Sequence, residues 1–136
     1  MTETQNQIGQ YQIEGQIGEG GMGAVYKGRH VHLGMTAAIK TILRRNLAND
    51  EAIERLRDEG RALAQLQHVN IVRVLDFFTS EGNYYLVMEF VEGQSLKERL
   101  DQSPLDLGES LRIMRAVGTG LVAAHSRNIL HRDLKP

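Results

Sequence analysis

Four glycines within six residues most constrain what this chain can fold into. They are Gly18, Gly20, Gly21 and Gly23, and they separate two strand-like runs at residues 11–17 and 24–30. Two short strands joined by a glycine-rich turn predict a β-hairpin, because glycine readily adopts the backbone conformations that tight turns require. Without a Cβ atom in the way, the N–H groups of such a turn can also approach phosphate oxygens. The cluster therefore indicates either a hairpin turn without a ligand or a loop that covers the phosphates of a nucleotide.

Two other phosphate-binding loops have similar glycine spacings, and the flanking residues disfavour both. A dinucleotide-binding loop is followed at once by a helix, whereas residues 24–28 have the pattern of a strand. A Walker loop ends in Gly-Lys, but the glycine pairs with that spacing are followed by Gly21, Ala24 and Arg29. What remains is a strand, turn and strand that would lie as a flap over a nucleotide.

Three further strand-like runs extend this hairpin into a predicted sheet. They lie at residues 36–43, 71–78 and 84–90. The last two are joined by Ser-Glu-Gly-Asn, a turn sequence that favours a second hairpin.

One helix is predicted between the third and fourth strands. Its apolar residues recur at helical spacing and are Ile53, Leu56, Leu63 and Leu66. Asn49 or Asp50 can cap its first turn. Only Gly60 interrupts the pattern, at a cost of about 1 kcal/mol relative to alanine.

Beyond Gly93 the hydrophobic pattern becomes helical. Ser95 is predicted to cap a short helix that ends at Leu100, and a longer helix is predicted over residues 109–127. The sequence thus predicts an α+β chain in three parts. They are a flexible tail at 1–10, a five-stranded antiparallel sheet with one packed helix at 11–92, and the first helices of a mainly helical region at 93–136.

The composition of the chain excludes several classes of function. The 136 residues contain 16 Lys and Arg against 17 Asp and Glu, so no excess of positive charge predicts binding to nucleic acid or to an anionic membrane. The chain has no cysteine, which excludes disulfides, thiolate catalysis and Cys-ligated zinc, and agrees with the reducing cytoplasm. No apolar run reaches 18 residues and the first residues do not resemble a secretory signal, so no membrane segment is predicted within this chain.

Lys40 and Glu59 are predicted to form an ion pair. Lys40 lies near the end of the third strand, beside small apolar residues. Glu59 follows Leu56 by three residues and precedes Leu63 by four, and at this helical spacing we predict that it lies with the apolar stripe, where an unpaired carboxylate would be costly. A lysine directed into water and a local pair between Glu59 and Arg55 are the alternatives. We favour the pair with Lys40, because it would hold the ammonium group where it can contact nucleotide phosphates.

The final six residues, His-Arg-Asp-Leu-Lys-Pro at 131–136, combine an acid with several cations. Asp133 can accept a proton from a hydroxyl group or orient that hydroxyl, and Lys135 can neutralise charge on a transferring phosphoryl group. By itself the segment is equally typical of a charged, disordered terminus. The glycine loop, the lysine and the carboxylate upstream favour the catalytic interpretation.

Taken together, these four motifs resemble, in order and spacing, the N-terminal half of a eukaryotic-like serine/threonine protein kinase domain of the kind also common in bacteria. The resemblance covers residues 11–136. It implies a kinase N-lobe followed by the start of a helical C-lobe. It also implies that the intact enzyme transfers the γ-phosphoryl group of ATP to Ser or Thr hydroxyls of a protein substrate, with Mg²⁺.

The resemblance also implies roles for individual residues. The glycine loop would cover the phosphates, Lys40 would anchor them, Glu59 would position Lys40, and Asp133 and Lys135 would act on the acceptor and the transferring group. The residues expected around adenine are Ile17, Val25 and Ala38 on its faces, Met88 at the gatekeeper position, and Glu89, Phe90 and Val91 in the hinge.

The chain departs from the family pattern in one important respect. It stops two residues before the asparagine that binds Mg²⁺ in the family, and the Asp-Phe-Gly motif is also missing. We therefore expect metal ligands beyond residue 136, none within the chain, and an incomplete domain that is inactive alone. A non-catalytic, pseudokinase-like nucleotide-binding or scaffolding module is one alternative, and an interaction domain without a nucleotide is another. The sequence makes no prediction of oligomeric state.

Overall fold

A six-stranded antiparallel sheet and three α-helices make up the described part of the chain. The computed structural model describes residues 6–20, 23–130 and 134. The strands are β1 (Gln7–Ile8), β2 (Tyr11–Gly20), β3 (Gly23–His30), β4 (Thr36–Ile42), β5 (Val74–Ser80) and β6 (Asn83–Glu89), and the helices are α1 (Asp50–Gln65), α2 (Leu96–Gln102) and α3 (Leu107–His125). The strands lie in the order β1, β2, β3, β4, β6, β5. A short 3₁₀ turn at Arg44–Asn46 leads from β4 towards α1.

The five predicted strands are all present, and the sequence missed a sixth. Strand β1 lies in the segment predicted to be a flexible tail, and it pairs with the start of β2. Gly9, with a φ of 57°, reverses the chain between the two strands, and the N–H of Ile13 donates a hydrogen bond to the carbonyl oxygen of Asn6. Ile8 then packs against the core. These two residues form a strand because the edge of β2 offers hydrogen-bond partners to their backbone. A run of two residues is too short for its own sequence to indicate this strand.

One face of the sheet carries a hydrophobic core. Its buried members are Tyr11, Ile13, Ala37, Ile39, Tyr85 and Val87, and they come from alternate positions of β2, β4 and β6. Ile39 and Val87 have no exposed surface. Gly28 on β3 permits this packing, because a Cβ atom there would lie 2.7 Å from the Cδ1 atom of Ile39.

Helix α1 packs on the opposite face. Ile42 of β4, Ile53 of α1 and Tyr84 of β6 form a second buried cluster. Because side chains alternate along a strand, Ile42 shares this face with Lys40 and not with Ile39. The predicted cap is confirmed, since Asn49 Oδ1 accepts a hydrogen bond of 2.9 Å from the N–H of Ala52.

Helices α2 and α3 follow the sheet. The predicted cap of α2 is present, whereas α3 begins two residues before the predicted start at 109, after a cap that the sequence analysis did not identify. Ser95 caps α2, and Asp106 caps α3 by accepting a 2.7 Å hydrogen bond from the N–H of Glu109. An ion pair of 3.3 Å between Arg99 and Glu109 connects the two helices. In the described part of the chain, no helix is long and apolar enough to span a lipid bilayer.

The Ser95 cap carries the first testable prediction. Its hydroxyl accepts from the N–H of Glu98 at 3.1 Å, and the Glu98 carboxylate accepts from the N–H of Ser95 at 3.3 Å. We expect Ser95→Ala to lower the free energy of unfolding by about 1 kcal/mol in urea titrations, and Ser95→Asp to retain most of it. Ser110→Ala is the control, because that hydroxyl makes no hydrogen bond within the described residues. Equal losses in Ser95→Ala and Ser110→Ala would contradict the assignment.

Candidate functional site

The predicted glycine hairpin is present and longer than expected. Strands β2 and β3 pair to the very end, with Gly20 opposite Gly23, whereas the sequence suggested that the first strand stops at residue 17. Gly18 lies opposite Val25. Gly21 lies outside the described residues.

Two glycines of this hairpin serve different physical purposes. A Cβ atom on Gly23 would lie 2.3 Å from the carbonyl oxygen of Thr41, and the φ of Gly23 is 151°, which L-residues rarely adopt. Gly23 is therefore required by contacts within the chain. Among the described residues, a Cβ atom on Gly18 would meet only Val25, at an ordinary 3.7 Å. The protein itself does not require glycine there, which is consistent with a position kept small for a ligand.

The strand register brings four predicted site residues onto one face of the sheet. Val25 lies opposite Lys40, and Ala38 lies opposite Met88. Residues directly opposite each other in an antiparallel pair share a face, and so do residues two apart in one strand. Val25, Ala38, Lys40 and Met88 thus line one surface beside the glycine hairpin, on the side away from the hydrophobic core. We call this surface the nucleotide face.

The other predicted contacts lie at the border of the nucleotide face. Ile17 is 49% exposed on β2, and Val91 is 64% exposed after β6. Glu89 is also exposed, and its carboxylate accepts a 2.9 Å hydrogen bond from the N–H of Arg73. The Glu89 side chain therefore holds the start of β5 and is not free for a ligand.

The predicted pair between Lys40 and Glu59 is not formed. Lys40 is half-buried, Glu59 is exposed, and neither has an ion pair or a side-chain hydrogen bond with any other residue in the described part of the chain. The alternative pair with Arg55 is absent as well, since Arg55 contacts Glu51 at 2.5 Å. The prediction of a buried carboxylate was wrong.

The orientation of α1 explains this difference. The buried residues of the helix are Ile53 and Gly60, seven positions apart, and the helix approaches Phe77 of β5 through Gly60. At about 100° per residue, Glu59 lies about 120° from Ile53 and hence at the edge of the packed face. Sequence reasoning treated Gly60 as an interruption of the helix, whereas it lies at the centre of the contact.

Sequence reasoning also missed Lys27. It lies opposite Ala38, two residues after Val25, and therefore belongs to the nucleotide face. Its Nζ atom lies 4.8 Å from the centre of the Phe90 ring and 3.9 Å from Glu14 Oε2. The two-residue alternation from Val25 was a signal that could have placed Lys27 beside the site.

Part of the predicted site lies outside the described residues. This applies to Asp133 and Lys135, so their roles stay predictions. Across residues 6–20, 23–130 and 134, no group of three or more His, Cys, Asp or Glu side chains could hold a metal ion. The described residues therefore do not fit Mg²⁺ by themselves.

Comparison with known proteins identifies the family. Residues 11–136 match the family described as the protein kinase domain. The chain belongs to this family. This confirms the resemblance inferred from the four motifs, and the sheet with its helices is the kinase N-lobe and the start of the C-lobe.

Individual kinases show the extent of the likeness. The chain is 41% identical over 128 residues to the serine/threonine-protein kinase pkn2 of Myxococcus xanthus, covering 94% of this chain and 15% of that protein. It is 44% identical over 130 residues to the serine/threonine-protein kinase PrkC of Bacillus subtilis, covering 94% of this chain and 20% of that protein. The crystal structure of the Mycobacterium tuberculosis PknI kinase domain superposes with a TM-score of 0.82 at 30% identity, covering 96% of this chain and 54% of that one. The chain thus spans a fifth or less of these two curated relatives.

Proposed function

We propose that this chain provides the nucleotide-binding part of an ATP-dependent protein serine/threonine kinase. One observation carries the proposal: the register of β3, β4 and β6 gathers Val25, Ala38, Lys40 and Met88 on one face beside the glycine hairpin. Small and apolar side chains suit the faces of an adenine ring, and the ammonium group of Lys40 suits phosphate. Membership of the kinase family supports ATP as the nucleotide.

Lys40 is the proposed phosphate anchor. Its ammonium group has no ion-pair or hydrogen-bond partner among the described residues, so binding a phosphate would break no ion pair observed there. The hairpin would lie over the same phosphates and exclude water, while Ile17 and the segment after β6 would border the adenine. Glu59 would contact Lys40 only after α1 rotates on the sheet, so the position of α1 would control whether the anchor is held.

Phosphoryl transfer would need groups outside the described residues. We assign to Asp133 the orientation of a Ser or Thr hydroxyl and acceptance of its proton, and to Lys135 the neutralisation of charge on the transferring group. When bound, Mg²⁺ neutralises the charge that develops on the phosphates. No group of His, Cys, Asp or Glu side chains in the described residues could hold this ion, and in this family its ligands are the catalytic-loop asparagine and the aspartate of the Asp-Phe-Gly motif. The substrate would be a protein, and the cysteine-free composition favours the cytoplasm.

A non-catalytic nucleotide-binding or scaffolding module is the second candidate. The observation that favours it is the separation of Lys40 from Glu59, because catalysis in this family needs that pair in place. In its nucleotide-binding form this candidate shares ATP binding with the first and differs from it only in lacking phosphoryl transfer.

Calorimetric titration with ATP and MgCl₂ tests the shared part. We expect saturable binding in the micromolar to millimolar range typical of enzyme substrates. Incubation with radiolabelled ATP and a mixture of Ser/Thr peptides then tests the chemistry. We expect no labelling by this chain alone, and labelled peptides would exclude the non-catalytic candidate. The failure of ATP to bind at millimolar concentration would refute both.

A further inference from the structure

Lys27 connects three segments around the nucleotide face. It is a residue of β3, its Nζ atom lies 3.9 Å from Glu14 Oε2 of β2, and the same atom lies 4.8 Å from the centre of the Phe90 ring. Phe90 directly follows β6, at the start of the segment that leads to α2. A cation within about 6 Å of an aromatic centre is attracted by the ring. Lys27 therefore attaches the segment after β6 to the sheet.

A bulge in β2 makes this arrangement possible. The register between β2 and β3 shifts between Ile13 and Gly15, and the extra residue at the shift is Glu14. Glu14 also accepts a 2.8 Å hydrogen bond from Arg29, which lies two residues after Lys27 on the same face of β3. This hydrogen bond lowers the pKa of Glu14, so the carboxylate stays charged to a lower pH than a glutamate in water. The ammonium group of Lys27 is thus located between a fixed anion and an aromatic ring, and its side chain is 35% exposed.

The position of Lys27 relates it to the base and not to the phosphates. It lies opposite Ala38, one two-residue step along β3 from Val25, which lies opposite Lys40. One such step is about 7 Å. Lys40 and Lys27 therefore mark two ends of the nucleotide face, and Lys27 is at the end where Phe90 follows β6.

We propose that Lys27 is a positioning residue for the nucleotide base. By holding the Phe90 ring, it fixes the backbone at residues 89–91 against the sheet, where the edge of a purine would meet it. The inference rests on the proposed function, since it assigns the base end of the same site. Lys27 acts through Phe90 and need not touch the nucleotide.

Two ligands separate this role from a general structural one. ATP has a base, whereas inorganic tripolyphosphate has only the phosphates. We expect Lys27→Met to weaken ATP binding about two- to fivefold, the range of an exposed cation–π contact, and to leave tripolyphosphate binding unchanged. Lys27→Arg should restore ATP binding, because arginine also stacks on aromatic rings. Lys97→Met is the matched control, since Lys97 is 74% exposed and its one ion pair within the described residues is with Asp101, at 3.9 Å.

The aromatic partner is tested by a double-mutant cycle. Phe90→Leu should weaken ATP binding to a similar extent, and adding Lys27→Met to it should have little further effect. Additive losses, or equal weakening of ATP and tripolyphosphate in Lys27→Met, would overturn the inference.

A measurement without nucleotide keeps this inference separable from the proposed function. In the ligand-free chain, ¹⁵N relaxation should show lower order parameters for the amides of Phe90 and Val91 in Lys27→Met, and unchanged ones in Lys27→Arg and Lys97→Met. Unchanged values in Lys27→Met would overturn the positioning role even if ATP binds. The other outcome is that the order parameters fall in Lys27→Met but the unchanged chain does not bind ATP. That result would refute the proposed function and the predicted effect of Lys27 on ATP affinity, while the positioning of Phe90 by Lys27 would stand.

Discussion

Replacing Lys40 with methionine is expected to weaken Mg-ATP binding by about 10- to 100-fold, the range of a hydrogen bond to a charged group. The same change should leave the free energy of unfolding within about 0.5 kcal/mol of the original value. Lys40 is half-buried and has no ion pair with the described residues, and methionine has a similar apolar stem, so folding should lose no ion pair seen in that part of the chain. Calorimetry with Mg-ATP and urea unfolding measure the two quantities on the same samples.

Lys97→Met again provides the control, because it removes one positive charge from α2 and leaves the nucleotide face intact. It should bind Mg-ATP as the unchanged chain does. Equal affinities in Lys40→Met and the unchanged chain would show that Lys40 is not the anchor. A large fall in stability together with affinity would show that Lys40 has a structural role.

Gly23→Ala is expected to lower the free energy of unfolding by about 2 to 4 kcal/mol, the upper part of the range for single substitutions. The added Cβ atom would lie 2.3 Å from the carbonyl oxygen of Thr41, at a φ that alanine rarely adopts. The backbone of β4 cannot move away without disturbing Lys40 and Ile42, its neighbours on either side. Urea unfolding followed by circular dichroism measures the loss.

Gly18→Ala is the matched control within the same hairpin. Its Cβ atom would contact Val25 at 3.7 Å, an ordinary distance, so the free energy of unfolding should change by less than about 1 kcal/mol. If Gly18 is small to admit a ligand, Gly18→Ala should reduce Mg-ATP affinity while keeping its stability. Similar losses of stability in both variants would contradict the distinction between these two glycines.

Several elements were predictable because their causes are local. The strand-like runs at residues 36–43 and 84–90 indicated strands, and the ends of β4 and β6 lie within one residue of those predicted. The caps of α1 and α2 were recognised from Asn49 and Ser95, whose side chains bond to N–H groups only three residues away. The order and spacing of the four motifs also sufficed to identify the kinase family. Interactions over such short separations depend little on the rest of the molecule.

Other features depended on partners that are distant in sequence. Strand β1 forms because β2 has a free edge. The bulge at Glu14 and the position of Phe90 give Lys27 its contacts, and neither is visible in the residues next to Lys27. The two-residue alternation along β3 could have predicted that Lys27 lies on the nucleotide face. It could not have predicted that Lys27 lies beside an aromatic ring.

The sequence alone determined the family, the elements and the residues available for chemistry, because each depends on residue type and on spacing along one strand or one turn. Only the tertiary structure decided the rotation of α1. Glu59 is exposed because the helix packs through Ile53 and Gly60 against the sheet. A rotation of a fraction of a turn changes which side chains are buried, and its value follows from the summed contacts of two surfaces that the periodicity of one helix does not specify.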